Sequence, residues 1–447
     1  MITWIFLFVL TFVQWPDAAF ATDKHPTSSF TRLLEQTLEN NPRIRAAQET
    51  LKATQALIPQ AKSQLLPSLS FQWDNTFRSS QWHTGSSQSD PTSTSLSLSQ
   101  PLFDLETLRD YQRLAPSIKA AQRDWEGIRQ QVFLEFIELT ANLLQGEDVY
   151  KLAENNYRLT QAHLTATTVR HDAGELTKTD VSQSRARVFA AKSEWIAAKA
   201  DRQSNRARFV ELSGQEAPED IQLPILQHPL LAKPLSDLVA ILDQRPDIEA
   251  ARLRLQTAQG NIEARKAGYL PTAELSSSAS RTFDPTSSST SGPQDDTSLT
   301  LSLSWPLYSG GLTGAKIQEA VASRDSDQAS LEQIHLAAIR ELKVTLLELE
   351  KNEAVNQANI ARGTAAKDAL DGVSQEFEVG TRTSLDVLDA QNEFFSAQTE
   401  KVKSGYNLNL SGYRLLKVLG LLSLDKIDPS TLPANHLLSP PTTETKP

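Results

Sequence analysis

The stretch VGTRTSLDVLDAQNEFFSAQ (residues 379–398) decides the fold. Gly380 marks a sharp turn, and beyond it one long helical tract runs to Gly420, ending in SGYRLLKVLG (residues 411–420). An earlier stretch has the same layout: AGELTKTD (residues 173–180), then a run that stops at Leu212-Ser213-Gly214. Gly174 to Gly380 is a step of 206, as are Asp180 to Asp386 and Gly214 to Gly420. A repeat this long, with turns and stops in register, makes the chain a duplicated unit.

Upstream of each turn the two copies keep the same order. Phe30, Leu33, Leu34 and Leu38 carry helical spacing, Pro42 suits a first helical turn, and Pro59 predicts a kink. Leu66-Pro67 ends the helix, because the residue before proline is pushed out of helical geometry. Arg245-Pro246 and Leu270-Pro271 repeat these marks at a step of 204. The period then changes to two. Leu69, Phe71 and Trp73 alternate with Ser70, Gln72 and Asp74, and Leu299, Leu301, Leu303 and Trp305 alternate with Ser and Thr. Leu96 and Leu98 sit between serines, and Ala273 to Phe283 is a weaker strand. Polar loops are expected from Ser79 to Ser93 and from Asp284 to Asp296.

Each half thus holds one hairpin (about 68–100 and 272–305) of strands long enough, when tilted, to cross a bilayer. A soluble sheet with one buried face is the other account of such alternation. Off-face residues that are nearly all Ser or Thr favour the membrane, as do Trp305, Tyr308 and Phe103 gathered at one end like an interfacial belt. Four strands cannot close a barrel, and an open edge in lipid is costly. Oligomers with eight, twelve or more strands all satisfy that demand.

Long helical tracts follow the hairpins. Leu105 to Arg170 and Ala315 to Glu378 would each extend roughly 95–100 Å. Pro116, Gly127 and Gly146 should interrupt the first, and Gly363 and Gly372 the second. Seven-residue spacing of Leu388, Phe395 and Val402, and of Phe189 and Ile196, predicts a coiled-coil seam on each returning helix. The expected organisation is a first repeat (28–214, helices about 103–213), a proline-rich linker (215–240), a second repeat (241–420, helices about 311–420) and a C-terminal segment with a frayed tail (421–447).

The 447 residues carry a net charge of -10 with charges interspersed, so there is no basic stripe for nucleic acid. Zero Cys excludes disulfides, thiolate metal sites and a lipidated N-terminal cysteine. The apolar Met1 to Val13 with Ala19-Phe20-Ala21 reads as a secretory signal peptide (1–21), too short to span a bilayer. The seven histidines are scattered, and no phosphate-cradling loop, nucleophile elbow or HExxH motif occurs. Nothing calls for an enzyme, a cofactor or a metal.

The order helix, hairpin, long helix, turn, long helix, with Val379 to Ala397 and the SWPLYSGG junction (residues 304–311), resembles the TolC family of outer membrane channels. The resemblance covers about Ser28 to Gly420 and is looser in the first half, where Phe103-Asp104-Leu105 lacks the paired glycines. It implies a mainly α homotrimer in a Gram-negative outer membrane. Four strands per chain would close one twelve-stranded barrel, and the helices would form a periplasmic tunnel with an equatorial belt. It also implies an exit duct for type I secretion or multidrug efflux, docked through a periplasmic adaptor to an inner-membrane ABC or RND pump. The missing Cys leans toward the type I secretion branch.

By the same resemblance, Asp386 and Asp389 line the periplasmic constriction, Arg382 ties the closed tip with Asp180 as a partner, and the turns at Gly174 and Gly380 meet the adaptor. Phe377 stands where the family has a tyrosine, so one hydroxyl bond of that latch is missing. Asp386 and Asp389, three apart, share a helix face; in a trimer that face, turned to the axis, gives six carboxylates that favour cations. The plainer account makes both first-turn acids that stabilise a helix N-terminus. A different class, an extracytoplasmic coiled-coil scaffold without a channel, uses the same helices and signal peptide.

Overall fold

A computed structural model describes residues 29–83, 85–89, 91–226, 234–283 and 292–423. The expected signal peptide, the middle of the linker, most of the second polar loop and the tail from 424 lie outside the described residues. The first half comprises α1 (Ser29–Asn40), α2 (Pro42–Gln55), α3 (Leu57–Ser63), β1 (Ser68–Asn75), β2 (Arg78–Trp82), β3 (Gly85–Ser89), β4 (Thr92–Phe103), α4 (Leu105–Gln112), α5 (Leu114–Asp172) and α6 (Lys178–Ser213). The second comprises α7 (Leu235–Leu242), α8 (Pro246–Ala267), β5 (Thr272–Phe283), β6 (Gln294–Ser304), α9 (Leu312–Glu378) and α10 (Ser384–Val418).

Proline breaks the helices where it should. Pro59 has no N–H for the carbonyl of Gln55 and crowds it, and the chain steps from α2 to α3 at Ala56. Pro116 stands in the same relation to Gln112, and α4 gives way to α5 at Arg113. The glycines behave differently from the sequence expectation: α5 passes through Gly127 and Gly146, and α9 through Gly363 and Gly372, without a break. A helical glycine weakens a helix but removes no hydrogen bond. Gly146 is needed for packing instead. A Cβ there would lie 2.8 Å from Nδ2 of Asn205, which donates to the Asn142 carbonyl at 2.9 Å and ties α6 to α5.

The main sheet is antiparallel throughout, in the order β1-β4-β5-β6. Register places Leu69 opposite Leu98, Phe71 opposite Leu96, and Leu275 opposite Leu301. Residues directly opposite share a face, so one side of the four strands is rich in Leu, Phe, Trp and Ala, interrupted by Thr94, Ser277 and Thr297 and ending toward the loops in the Arg281–Asp295 ion pair, and the other is mainly Ser, Thr and Gln. Phe71, Leu299 and Leu303 are each more than 70 % exposed, although they form the apolar side. Trp73 closes that side at the loop end; Phe103, Trp305 and Tyr308 stand at the helix end, where the Trp305 indole donates to the Tyr269 carbonyl at 3.1 Å. The first polar loop holds more regular structure than expected, because residues 78–82 pair with 85–89 as the small β2–β3 hairpin. The second strand of the other hairpin starts at Gln294, so its first three residues fall inside the expected loop.

The helices α5 and α9 measure 59 and 67 residues, about 90 and 100 Å. α5 packs on α6, α9 on α10, and α5 on α10, giving the cross-section α6–α5–α10–α9. The core lies at mid-length, where Phe136 packs between Phe30 and Phe209 (both centroid distances 5.5 Å) and joins Leu34, Leu242, Leu342, Tyr413 and Leu416. The predicted seam of α6 is not turned into its own chain. In α6 from Lys178 to Ala198 the residues buried against the rest of the chain are Val181, Ser184, Val188, Ala191 and Ala198, while Phe189 and Ile196 point outward. Both sets repeat every seven residues, and small side chains take the tight internal seam. On the other outer helix, α9, Leu347 and Val355 are left exposed in the same way.

At mid-length the duplication shows as a shared tie. Asn41, before Pro42, donates from Nδ2 to the Leu212 carbonyl in the last turn of α6 at 3.3 Å. Arg245, before Pro246, donates from Nη1 to the Val418 carbonyl in the last turn of α10 at 3.1 Å. Each repeat thereby fastens its starting helix to the end of its returning helix.

Candidate functional site

The two turns between long helices lie side by side at the end farthest from the sheet. Each is built by a glycine with positive φ, Gly174 at 82° and Gly380 at 81°, a conformation other residues adopt only with strain. The following amides reach back over the last helical turn: Glu175 N–H to the Arg170 carbonyl and Thr381 N–H to the Glu376 carbonyl, both at 2.9 Å. These are the bonds of a Schellman stop. Three residues after each glycine the chain starts its return helix in one and the same way.

Thr177 and Thr383 are the N-caps, and Asp180 and Asp386 complete reciprocal capping boxes. Asp180 Oδ2 accepts from Thr177 N–H at 2.8 Å and its hydroxyl at 2.7 Å. Asp386 Oδ2 accepts from Thr383 N–H at 2.9 Å and its hydroxyl at 2.8 Å. For Asp180 the Thr177 hydroxyl is the main cause of a carboxyl held below the usual carboxylate range. For Asp386 the Thr383 N–H is the main cause, followed by the Thr383 hydroxyl. Both acids therefore do serve as first-turn acids of their helices.

The other expected residues are placed as follows. Arg382 donates from Nε to Glu376 Oε2 at 2.7 Å, a partner at the end of α9 on its own hairpin. Arg382 and Asp180 are each engaged on their own hairpin, and the chain does not bring them together. Asp389, one turn beyond Asp386, forms an ion pair with Arg187 of α6, and both side chains remain substantially exposed.

Several residues that the sequence did not single out cross from the first hairpin to the second. Gln391 donates from Nε2 to Asn156 Oδ1 at 3.2 Å and to Thr160 Oγ1 at 3.1 Å. His163 Nε2 lies 2.9 Å from Ser384 Oγ. The Arg170 guanidinium sits over the Phe377 ring at 4.9 Å from its centroid, with the His163 ring at 6.3 Å on the flank. Burial, and then the charge of Arg170, hold the His163 imidazole below its ordinary pKa, so it is neutral at neutral pH. Asn156, His163 and Arg170 recur every seven residues down α5, and Gln391, Ser384 and Phe377 every seven in the opposite sense. That antiparallel heptad, polar but for Phe377, was the available signal; a search confined to apolar residues passes over it. Among the described residues no cluster of His, Cys, Asp and Glu could hold a metal.

Residues 33–215 and 238–421 match the family model described as outer membrane efflux protein. The chain belongs to the outer membrane efflux protein family. It is 25% identical over 403 residues to the outer membrane efflux protein BepC of Brucella suis, covering 90% of this chain and 87% of that one. It is 24% identical over 422 residues to outer membrane protein TolC of Escherichia coli, covering 92% and 85%. In fold it is similar to the outer-membrane channel OprN, with a TM-score of 0.75, 23% identity, and 88% and 90% of the two chains covered. The family is one of transport proteins, not enzymes. Among the described residues of this efflux protein no helix is long and apolar enough to cross a membrane. The four-stranded sheet, with one leucine-rich face, is the part suited to lipid.

Proposed function

We infer that three copies of this chain form the exit duct of a tripartite export system serving type I secretion or multidrug efflux. The observation that carries this is a lipid-suited sheet with two open edges, joined to helical hairpins whose outer helices also have unmet apolar faces. β1 and β6 run in opposite directions, so β6 of one chain can pair with β1 of the next as the antiparallel ladder continues. Likewise α6, with exposed Ile196 and Val210, meets the α9 of a neighbour, with exposed Ile360 and Leu347 at matching distances from the turns. Both contacts join different surfaces, the head-to-tail kind that closes into a ring. Three chains give twelve strands, the number the family resemblance implies.

In this assembly the hairpin turns at Gly174 and Gly380 form the periplasmic mouth that meets the adaptor, and Asp386 and Asp389 form its acidic constriction. An inner-membrane ABC or RND pump supplies the substrate. Outer-membrane fractionation followed by electrophoresis without boiling is expected to give trimers. A soluble periplasmic monomer would instead support the scaffold alternative and end the channel.

Arg382 spends one of its five guanidinium donors on Glu376, leaving others for Asp180 of the adjoining chain. Replacing Arg382 with alanine is therefore expected to raise single-channel conductance in planar bilayers, by loosening the closed mouth. Conductance equal to that of the unaltered protein would remove Arg382 from the latch.

A further inference from the structure

Below the bonds of Gln391 to Asn156 and Thr160, three side chains of the first hairpin grip the second at the tip. Arg170 covers the Phe377 ring at 4.9 Å, inside the roughly 6 Å range of a cation–π contact. His163 bonds Ser384 at 2.9 Å and flanks the same ring. Arg187 pairs with Asp389. These contacts bracket the second turn: Phe377 is in the last turn of α9, Ser384 in the first turn of α10, and Asp389 one turn later. Among the described residues no further side-chain bond ties the turn across the hairpins: Arg382, Thr381, Thr383 and Asp386 all bond within their own hairpin.

We propose that Arg170 and Phe377 are the central positioning pair of the closed gate, holding the second hairpin against the first within each chain, with His163–Ser384 and Arg187–Asp389 as flanking ties. A phenyl ring offers no hydroxyl, so the tie uses its face. Both partners are half-buried, which shields the contact from water more than the exposed Arg187–Asp389 pair. A motion that swings the second hairpin outward must draw the ring from beneath the guanidinium before α10 can move.

The assignment rests on the tip being the constriction, and one set of recordings separates the two ideas. The full-length protein is reconstituted in planar bilayers, and conductance and block by hexaamminecobalt(III) are measured on each variant. Arg170→Gln and Phe377→Leu are each expected to raise closed-state conductance at least twofold, and the double variant to add little to either. Phe377→Trp, which keeps a π face, is expected to stay at the original conductance, an outcome that a merely space-filling role for the ring would not give. The Asp386→Asn variant, which leaves the Arg187–Asp389 tie in place, reports on the constriction independently. If it loses cation block while Arg170→Gln and Phe377→Leu conduct like the unaltered protein, the clasp is wrong and the gate stands. If block is unchanged in that variant, the constriction is not at the tip and both ideas fall. Trimer recovery on electrophoresis without boiling identifies any variant that fails to assemble, and for such a variant Arg170→Lys, which keeps the cation, supplies the comparison.

Discussion

Replacing Asp386 and Asp389 together with asparagine is expected to weaken block by a multivalent cation from the periplasmic side tenfold or more. Asparagine is the informative choice because Asp386 closes the capping box at the start of α10. Its amide oxygen can still accept from Thr383 N–H, so charge is removed with little loss of the cap; alanine would remove both. In a trimer the change deletes up to six charges from one narrow ring. A trivalent cation about 6 Å from a single carboxylate gains roughly 2 kcal/mol even at the dielectric of water. Since ~1.4 kcal/mol is a factor of ten in affinity, a tenfold effect is a low bound.

The two acids should not contribute equally. Asp389 already has Arg187 as a counter-ion, whereas Asp386 has only the hydrogen-bond donors of Thr383 and the more distant charge of Arg382. The single Asp386→Asn variant is thus expected to show most of the loss. Those same donors keep the Asp386 carboxyl below its ordinary range, so block should persist as the periplasmic side is acidified through the usual carboxylate values. Block of unchanged strength in the double variant would show that Asp386 is a helix cap and Asp389 an ion-pair partner of Arg187, and neither a cation site.

How far this site could be read from sequence follows from the kind of signal each part leaves. The turns were legible because Gly174 and Gly380 and the Thr-x-x-Asp boxes are local chemistry, written twice at one spacing. The strands were legible because a sheet with one lipid-suited face must alternate, and Leu299 to Trp305 does so without an error. The helix breaks were only half legible. Pro59 and Pro116 act through the carbonyls four residues earlier, so the breaks fall at Ala56 and Arg113, whereas the glycines expected to interrupt are absorbed. Phe189 and Ile196 were assigned to a seam, and spacing cannot say whether that seam faces the same chain or another; small residues occupy the internal one. Least legible were Arg170, His163 and Arg187. Their partners lie about 200 residues away on another hairpin, and no local rule links Arg187 to Asp389 or Arg170 to Phe377.

The largest effect on stability is expected at mid-length, from replacing Arg245 with alanine. Its side chain is only 9 % exposed, yet it reaches three separate elements. Nε and Nη2 fork onto Asp247 at 2.9 and 2.8 Å, at the start of α8; Nη1 donates to Glu341 of α9 at 2.8 Å and to the Val418 carbonyl at the end of α10. Gly420 closes over the same place: at φ 70° it lies so near that a Cβ would come within 3.1 Å of Arg245 Cα. Alanine would leave the Val418 carbonyl without this donor and strip a cation from two carboxylates. A charge-assisted hydrogen bond contributes about 1.5–3 kcal/mol, and part of that returns when half-exposed acids rehydrate, so a net loss of about 3 kcal/mol is expected. Lysine should restore only part of it, because an ammonium cannot make the fork. The pH dependence gives a second check. Burial raises both acids, but for Asp247 the hydrogen bonds and charge of Arg245 outweigh it, and for Glu341 those of Arg245 and Lys417 do, leaving both below their ordinary values. Carboxyls depressed in the folded state add stability above about pH 4, and that stability is lost as pH falls through their folded values. The unaltered protein should therefore lose thermal midpoint on acidification below about pH 4 more steeply than Arg245→Ala, whose midpoint is already lowered at pH 7. Parallel midpoint curves for the two proteins would show that Arg245 fills space between the helices and does not bind them through charge.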